Sequence, residues 1–167
     1  MILQEYAVCS VGDIVFNKIL VANDGSKTAE KAMDFAFDLA EKYLADVLVV
    51  SVFDVNSTSL DVSEMLFAPV GTTKYLEELE TFYENILEAA IKKAKRINKN
   101  LKVTKKLLTG RAADKIVETA NDENVDLIVI GSRGLGGIKE IFLGSVSDRV
   151  ADETKCPVLI VKESNKK

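Results

Sequence analysis

The 167-residue chain contains no histidine and no tryptophan, only two cysteines and two prolines, and nine glycines. Without histidine there is no Ser-His-Asp or Cys-His catalysis and no imidazole-held metal. Any metal would need oxygen ligands, which suits magnesium or manganese. Cys9 and Cys156 are too few for a disulfide framework and lack metal-ligand spacing. Both read as reduced thiols, with Cys156 buried beside Pro157. A broad basic surface is also lacking: 22 Lys and Arg against 26 Asp and Glu leave a net charge of -4. That excludes a nucleic-acid binder held by general positive charge. The cluster Lys92, Lys93, Lys95 and Arg96 reads as a solvated helix face. No apolar run approaches the roughly 20 residues that span a bilayer. The start, MILQEYAVCS, has no basic residue before its apolar patch and makes a poor signal peptide. The expected location is the cytoplasm.

What is present is an alternation. Apolar runs at 17–23, 46–54, 101–108, 126–130 and 157–161 read as strands. Between them lie helical patterns at 26–43, 73–98, 112–123 and 145–154. In the first, Ala29, Ala32, Met33, Ala36, Leu39, Ala40 and Tyr43 recur at three- and four-residue steps behind a capping Ser26. In the second, Leu76, Leu79, Tyr83, Ile86, Ala90, Ala94 and Ile97 form a stripe. There Glu77, Glu78 and Glu80 sit early and the basic residues late, an order that complements the helix dipole. Continuous apolar strands are buried on both faces, so the sheet should be parallel with helices on each side. The expected fold is a doubly wound α/β domain with five parallel strands in the order 3-2-1-4-5. Its expected bounds are 17–163, with an N-terminal extension at 1–16 and a flexible tail at 164–167. The extension, with Ile2, Leu3, Val8, Val11, Ile14, Val15 and Phe16, reads as cover for a sheet edge or a reach to a partner. Residues 56–73 read as a loop folded onto the core or a partner contact.

Ligands of such sheets sit beyond the carboxyl ends of the strands, where the winding reverses. Two unusual loops meet there. One is Asn23-Asp24-Gly25-Ser26. The other follows strand four and holds five of the nine glycines: Gly131, Gly134, Gly136, Gly137 and Gly144. Glycines let main-chain N–H groups approach an anion without a Cβ in the way, and a helix start at 145 offers unpaired N–H groups. Taken singly, Ser145-Val-Ser-Asp148 also reads as a capping box, and Asp24 as an Asx-turn residue. Taken together, the two loops favour a phosphate ligand. Neither the Walker A ending nor the dinucleotide spacing of glycines is present.

The pattern Gly131-x2-Gly134-x9-Gly144-Ser145, with ILVANDGS before it, resembles the ATP-binding subclass of the universal stress protein superfamily. The resemblance spans Lys18 to Lys162. It implies that the main chains of Ala22 and Val52 line an adenine pocket. Asp24 would approach ribose and phosphates through a divalent ion. Gly131, Ser132, Arg133 and Gly134 would wrap the ribose and phosphates, and Gly144, Ser145, Val146 and Ser147 would hold the phosphates. The implied cofactor is ATP or AMP with Mg or Mn. The last strand, PVLIV, resembles one that pairs across a homodimer. The implied function is a nucleotide-binding regulatory or stress-response factor, more a binder than an enzyme, with at most slow hydrolysis. An ATPase or adenylyl-transferring enzyme, and a dimeric scaffold that binds no nucleotide, stay open as rivals.

Overall fold

A computed structural model describes residues 16–53, 71–135 and 143–163. Five strands and four helices alternate along it. They are β1 (Lys18–Ala22), α1 (Lys27–Tyr43), β2 (Asp46–Phe53), α2 (Gly71–Ile97), β3 (Val103–Thr109), α3 (Ala112–Asp122), β4 (Leu127–Gly131), α4 (Ser145–Glu153) and β5 (Val158–Val161). The sheet is wholly parallel, in the order β3-β2-β1-β4-β5. The doubly wound α/β reading therefore holds. β1 lies between β2 and β4, with Ile19 opposite both Val47 and Leu127.

The strands are apolar along their length because both faces are covered. On one face α1 and α2 bury Ala32, Ala36, Phe37, Leu87 and Ala90 against Ile19, Val21, Val49 and Val129. On the other, α3 and α4 bury Ala113, Ile116, Ala120 and Val150 against Leu20, Leu48 and Ile128. Burial of the larger of these side chains, such as Phe37, Leu87 and Ile128, is worth about 1.5–3 kcal/mol each against leaving them in water. β3 lies at an edge of the sheet, and each of its seven residues is exposed or half-buried.

Several local expectations change. α2 starts at Gly71, so Glu77, Glu78 and Glu80 fall beyond its first turn, which carries no acidic residue. The buried line of that helix runs through Leu87, Ala90 and Ala94, while Ile97 is exposed. Cys156 is only half-buried, with Thr154 Oγ1 3.4 Å from its Sγ. The extension at 1–15, the segment 54–70, Gly136, Gly137, Cys9 and the tail at 164–167 lie outside the described residues. Phe16, at the end of the extension, meets Tyr43 edge to face at 5.1 Å.

At the amino end of the sheet, Glu123 is gripped by Lys18 of β1 and Lys106 of β3. These hydrogen bonds pull its carboxyl from an ordinary 4.5 down to about 2. Lys105 likewise pairs with Glu84 and Glu88, which raise its ammonium pKa.

Candidate functional site

The carboxyl ends of β1 and β4 are neighbours, and the loops that leave them are tied together. Asp24 is the main knot. Its Oδ1 accepts the Ser26 N–H at 2.9 Å, closing an Asx-turn, and its Oδ2 accepts the Leu135 N–H at 3.1 Å. Asn23 closes a second turn of the same kind on Gly25, whose φ of +82° suits only glycine at low cost. Asn23 is buried, and its carbonyl accepts the Ser51 hydroxyl at 2.6 Å. The two readings of Asp24, turn residue and site residue, are thus compatible in one side chain.

The second tie is at Arg133. Its carbonyl accepts the hydroxyl of Ser26 at 3.3 Å and that of Thr28. Ser26 also caps α1 through the Ala29 N–H at 3.2 Å, as the sequence suggested. The start of α1 is therefore filled from within by Ser26 and by the Arg133 carbonyl that Ser26 and Thr28 hold.

The start of α4 differs. Its cap residue is Gly144, which has no side chain to turn on the first-turn amides. Ser145 is the first helical residue rather than the cap, and it is exposed. The capping-box alternative for Ser145 falls, because Gly144 takes the cap position with its N–H held by the Ser132 carbonyl at 2.8 Å. The Ser147 hydroxyl is buried, 2.9 Å from the Gly144 carbonyl and 3.2 Å from that of Ser132. Asp148 adds an acidic group to the first turn, which favours the helix.

The three glycines of the pattern do separate jobs. A Cβ on Gly131 would lie 2.8 Å from the Thr28 carbonyl carbon and 2.9 Å from the Ala29 nitrogen. Gly131 is therefore required by the packing of α1 on β4. A Cβ on Gly134 would come 2.6 Å from Asp24 Oδ2. At Gly144 it would come 3.2 Å from the Ser132 carbonyl oxygen, tighter than an ordinary contact. Gly134 is exposed, and Ser132 is buried with its N–H bonded to the Val161 carbonyl at 2.8 Å.

Ala22 and Val52, at the carboxyl ends of β1 and β2, are half-buried and pack on the α3–α4 side. Val146 packs there too. The structure thus brings Ala22, Asp24, Gly131, Ser132, Arg133, Gly134, Gly144, Ser145, Val146 and Ser147 to adjoining ends of β1 and β4, with Val52 one strand away. Thr28 is the neighbour that sequence reasoning passed over. It reads locally as one more residue of a helix start, and its partner lies 105 residues along the chain.

A divalent ion would find Asp24 as its protein ligand here. Among the described residues no group of three His, Cys, Asp or Glu side chains is placed to hold a metal. Each Asp24 oxygen already accepts one amide. The donor set thus fits an ion that arrives on phosphate oxygens and waters, the usual habit of magnesium, and does not fit one bound by protein alone.

The chain is similar to known proteins over most of its length. The model of the Universal stress protein family matches residues 16–162. Universal stress protein YxiE of Bacillus subtilis is 35% identical over 153 residues, 89% of this chain and 100% of its own length. Universal stress protein MJ0577 of Methanocaldococcus jannaschii is 35% identical over 159 residues, 91% of this chain and 98% of its own. The solved structure of MJ0577 superposes with a TM-score of 0.71 at 28% identity, covering 92% of this chain and 100% of the other. A universal stress protein solved in complex with cAMP superposes with a TM-score of 0.66 at 25% identity, over 90% of this chain and 100% of that one.

Proposed function

The chain belongs to the universal stress protein family, and from that premise we propose that it binds an adenine nucleotide, ATP or AMP, in the crevice between β1 and β4. One observation carries the reading. Gly144 leaves the start of α4 without a capping side chain, beside the glycine loop that Asp24 holds. Uncapped first-turn N–H groups and the positive end of a helix dipole form a phosphate site. A relative's complex with cAMP supports the ligand class.

In this reading the phosphates meet the amides of Ser145, Val146 and Ser147 and the Ser145 hydroxyl. The main chains of Gly131, Ser132, Arg133 and Gly134 follow the ribose and phosphates. The adenine lies against Ala22 and Val52. Asp24 would be repelled by phosphate unless a magnesium or manganese ion came between them, which is what that ion would supply. Hydrolysis is slow at most, since no histidine and no lysine of the sequence pattern stands ready to activate water or to gather charge on the γ-phosphate. The protein acts as a cytoplasmic regulatory factor and pairs with a second copy along β5. In support of that pairing, β5 is an edge strand with half-buried Val158, Leu159 and Ile160.

The test is to purify the protein natively, denature it and identify any released nucleotide. In parallel, ATP with magnesium is titrated into wild type and Gly134→Val. Release of ATP or AMP is expected, with binding lost in the variant and its circular dichroism unchanged. Absence of both nucleotide and binding in wild type would overturn the proposal in favour of a scaffold.

A further inference from the structure

The geometry points to Thr28 as a positioning residue for the nucleotide site: its hydroxyl, with that of Ser26, fixes the peptide between Arg133 and Gly134 so that the Gly134 N–H faces away from α1, toward the ligand. This rests on the nucleotide reading above and adds the device that shapes the loop.

Four observations carry it. First, the Arg133 carbonyl accepts from both Thr28 Oγ1 and Ser26 Oγ, so its direction is fixed from two sides. Second, no cis peptide occurs among the described residues. In a trans peptide the C=O and the next N–H point in opposite directions in one plane. Pinning the carbonyl toward α1 therefore turns the Gly134 N–H away from it. Third, Thr28 is buried, with 5% of its surface exposed, and the missing Cβ of Gly131 leaves room for it: that atom would lie 2.8 Å from Thr28 Oγ1. Fourth, the next amide, that of Leu135, is held by Asp24 Oδ2 at 3.1 Å. The loop is thus gripped at two successive positions by side chains that flank the start of α1.

The clamp also decides which helix start receives the anion. The Arg133 carbonyl sits at the positive end of the α1 dipole, a favourable place for an oxygen. With α1 so occupied, α4 is the other start at the β1–β4 crevice and the one that offers its amides to phosphate. A loop held in its binding shape before the ligand arrives spares the ligand the entropy of ordering it.

The test compares full-length wild type, Thr28→Val and Thr28→Ser. Valine keeps the shape and removes the hydroxyl; serine keeps the hydroxyl. Hydrogen exchange of the Leu135 amide is read without nucleotide, and ATP with magnesium is then titrated. In Thr28→Val the Leu135 amide should exchange faster, and ATP should bind roughly tenfold more weakly, the scale of one hydrogen bond lost. Thr28→Ser should restore both. Wild-type exchange at Leu135 in Thr28→Val would overturn the clamp, whether or not nucleotide binds. Faster exchange with unchanged ATP affinity would overturn its role for the ligand. Unfolding or a lowered Tm in Thr28→Val that serine does not repair would make Thr28 a packing residue and also overturn the proposal. If wild type binds no nucleotide, the function reading falls along with the ligand role, while the exchange measurement still decides the clamp.

Discussion

Two helices begin at the same crevice and are finished in opposite ways. α1 opens behind Ser26, which turns its hydroxyl on the Ala29 N–H, and an Arg133 carbonyl sits beside it. α4 opens behind Gly144, which has nothing to turn. Both starts carry the same dipole and the same surplus of N–H groups. The difference is supplied by the residue at the cap and by what the neighbouring loop puts there.

Four changes test that contrast. The largest effect on the fold is expected from Gly131→Ala. Its Cβ would press on the backbone of Thr28 and Ala29, so α1 must shift from β4. Overpacking of this kind costs about 1–3 kcal/mol, read as a fall in Tm. Next, Gly144→Asp should convert the open start into a closed one. The φ of -69° accepts any residue, and a carboxylate there would cap the amides and repel phosphate. ATP affinity should fall at least about tenfold, while in Tm the cap's gain of about 1 kcal/mol is set against the tight Cβ contact with the Ser132 carbonyl. Unchanged binding would place the phosphates elsewhere. The converse, Ser26→Ala, should uncap α1 and cost about 1 kcal/mol in denaturant unfolding, with less effect on ATP than Thr28→Val has.

The smallest effect serves as the remote control. Glu123, at the amino end of the sheet, ionises at about 2 when folded and near 4.5 otherwise. Its depressed pKa means that the pair stabilises the fold above pH 4.5 and that this is lost as pH falls toward 2. Acid unfolding of Glu123→Gln should lack that component, and its ATP affinity at pH 7 should match wild type.

The strands were legible because parallel strands covered on both faces leave continuous apolar runs, as in LIVIG and VLIV. The Ser26 cap was legible because it is a local pattern. The capping box at Ser145 was misread for a reason of the same kind turned around. Its spacing satisfied a local rule, but the Ser132 carbonyl, fixed from β4, holds the Gly144 N–H and settles the cap one residue earlier. Leu87 was missed because the stripe drawn on α2 ran through Ile86, and only the direction in which the helix lies on β2 separates the two. The Thr28 clamp joins residues 105 apart in sequence, and no local pattern announces such a contact.

The empty space at Gly131 changes how its motif should be read in other chains. The three glycines look like one signature, yet they answer to different masters. Gly131 is demanded by backbone atoms of α1 and would have to be kept by a descendant that had given up its ligand. Gly144 has a φ open to other residues, and a Cβ there would stand 3.2 Å from the Ser132 carbonyl oxygen. A chain that keeps the first glycine and loses the third has kept its architecture, and on the nucleotide proposal the third is the one to consult about binding.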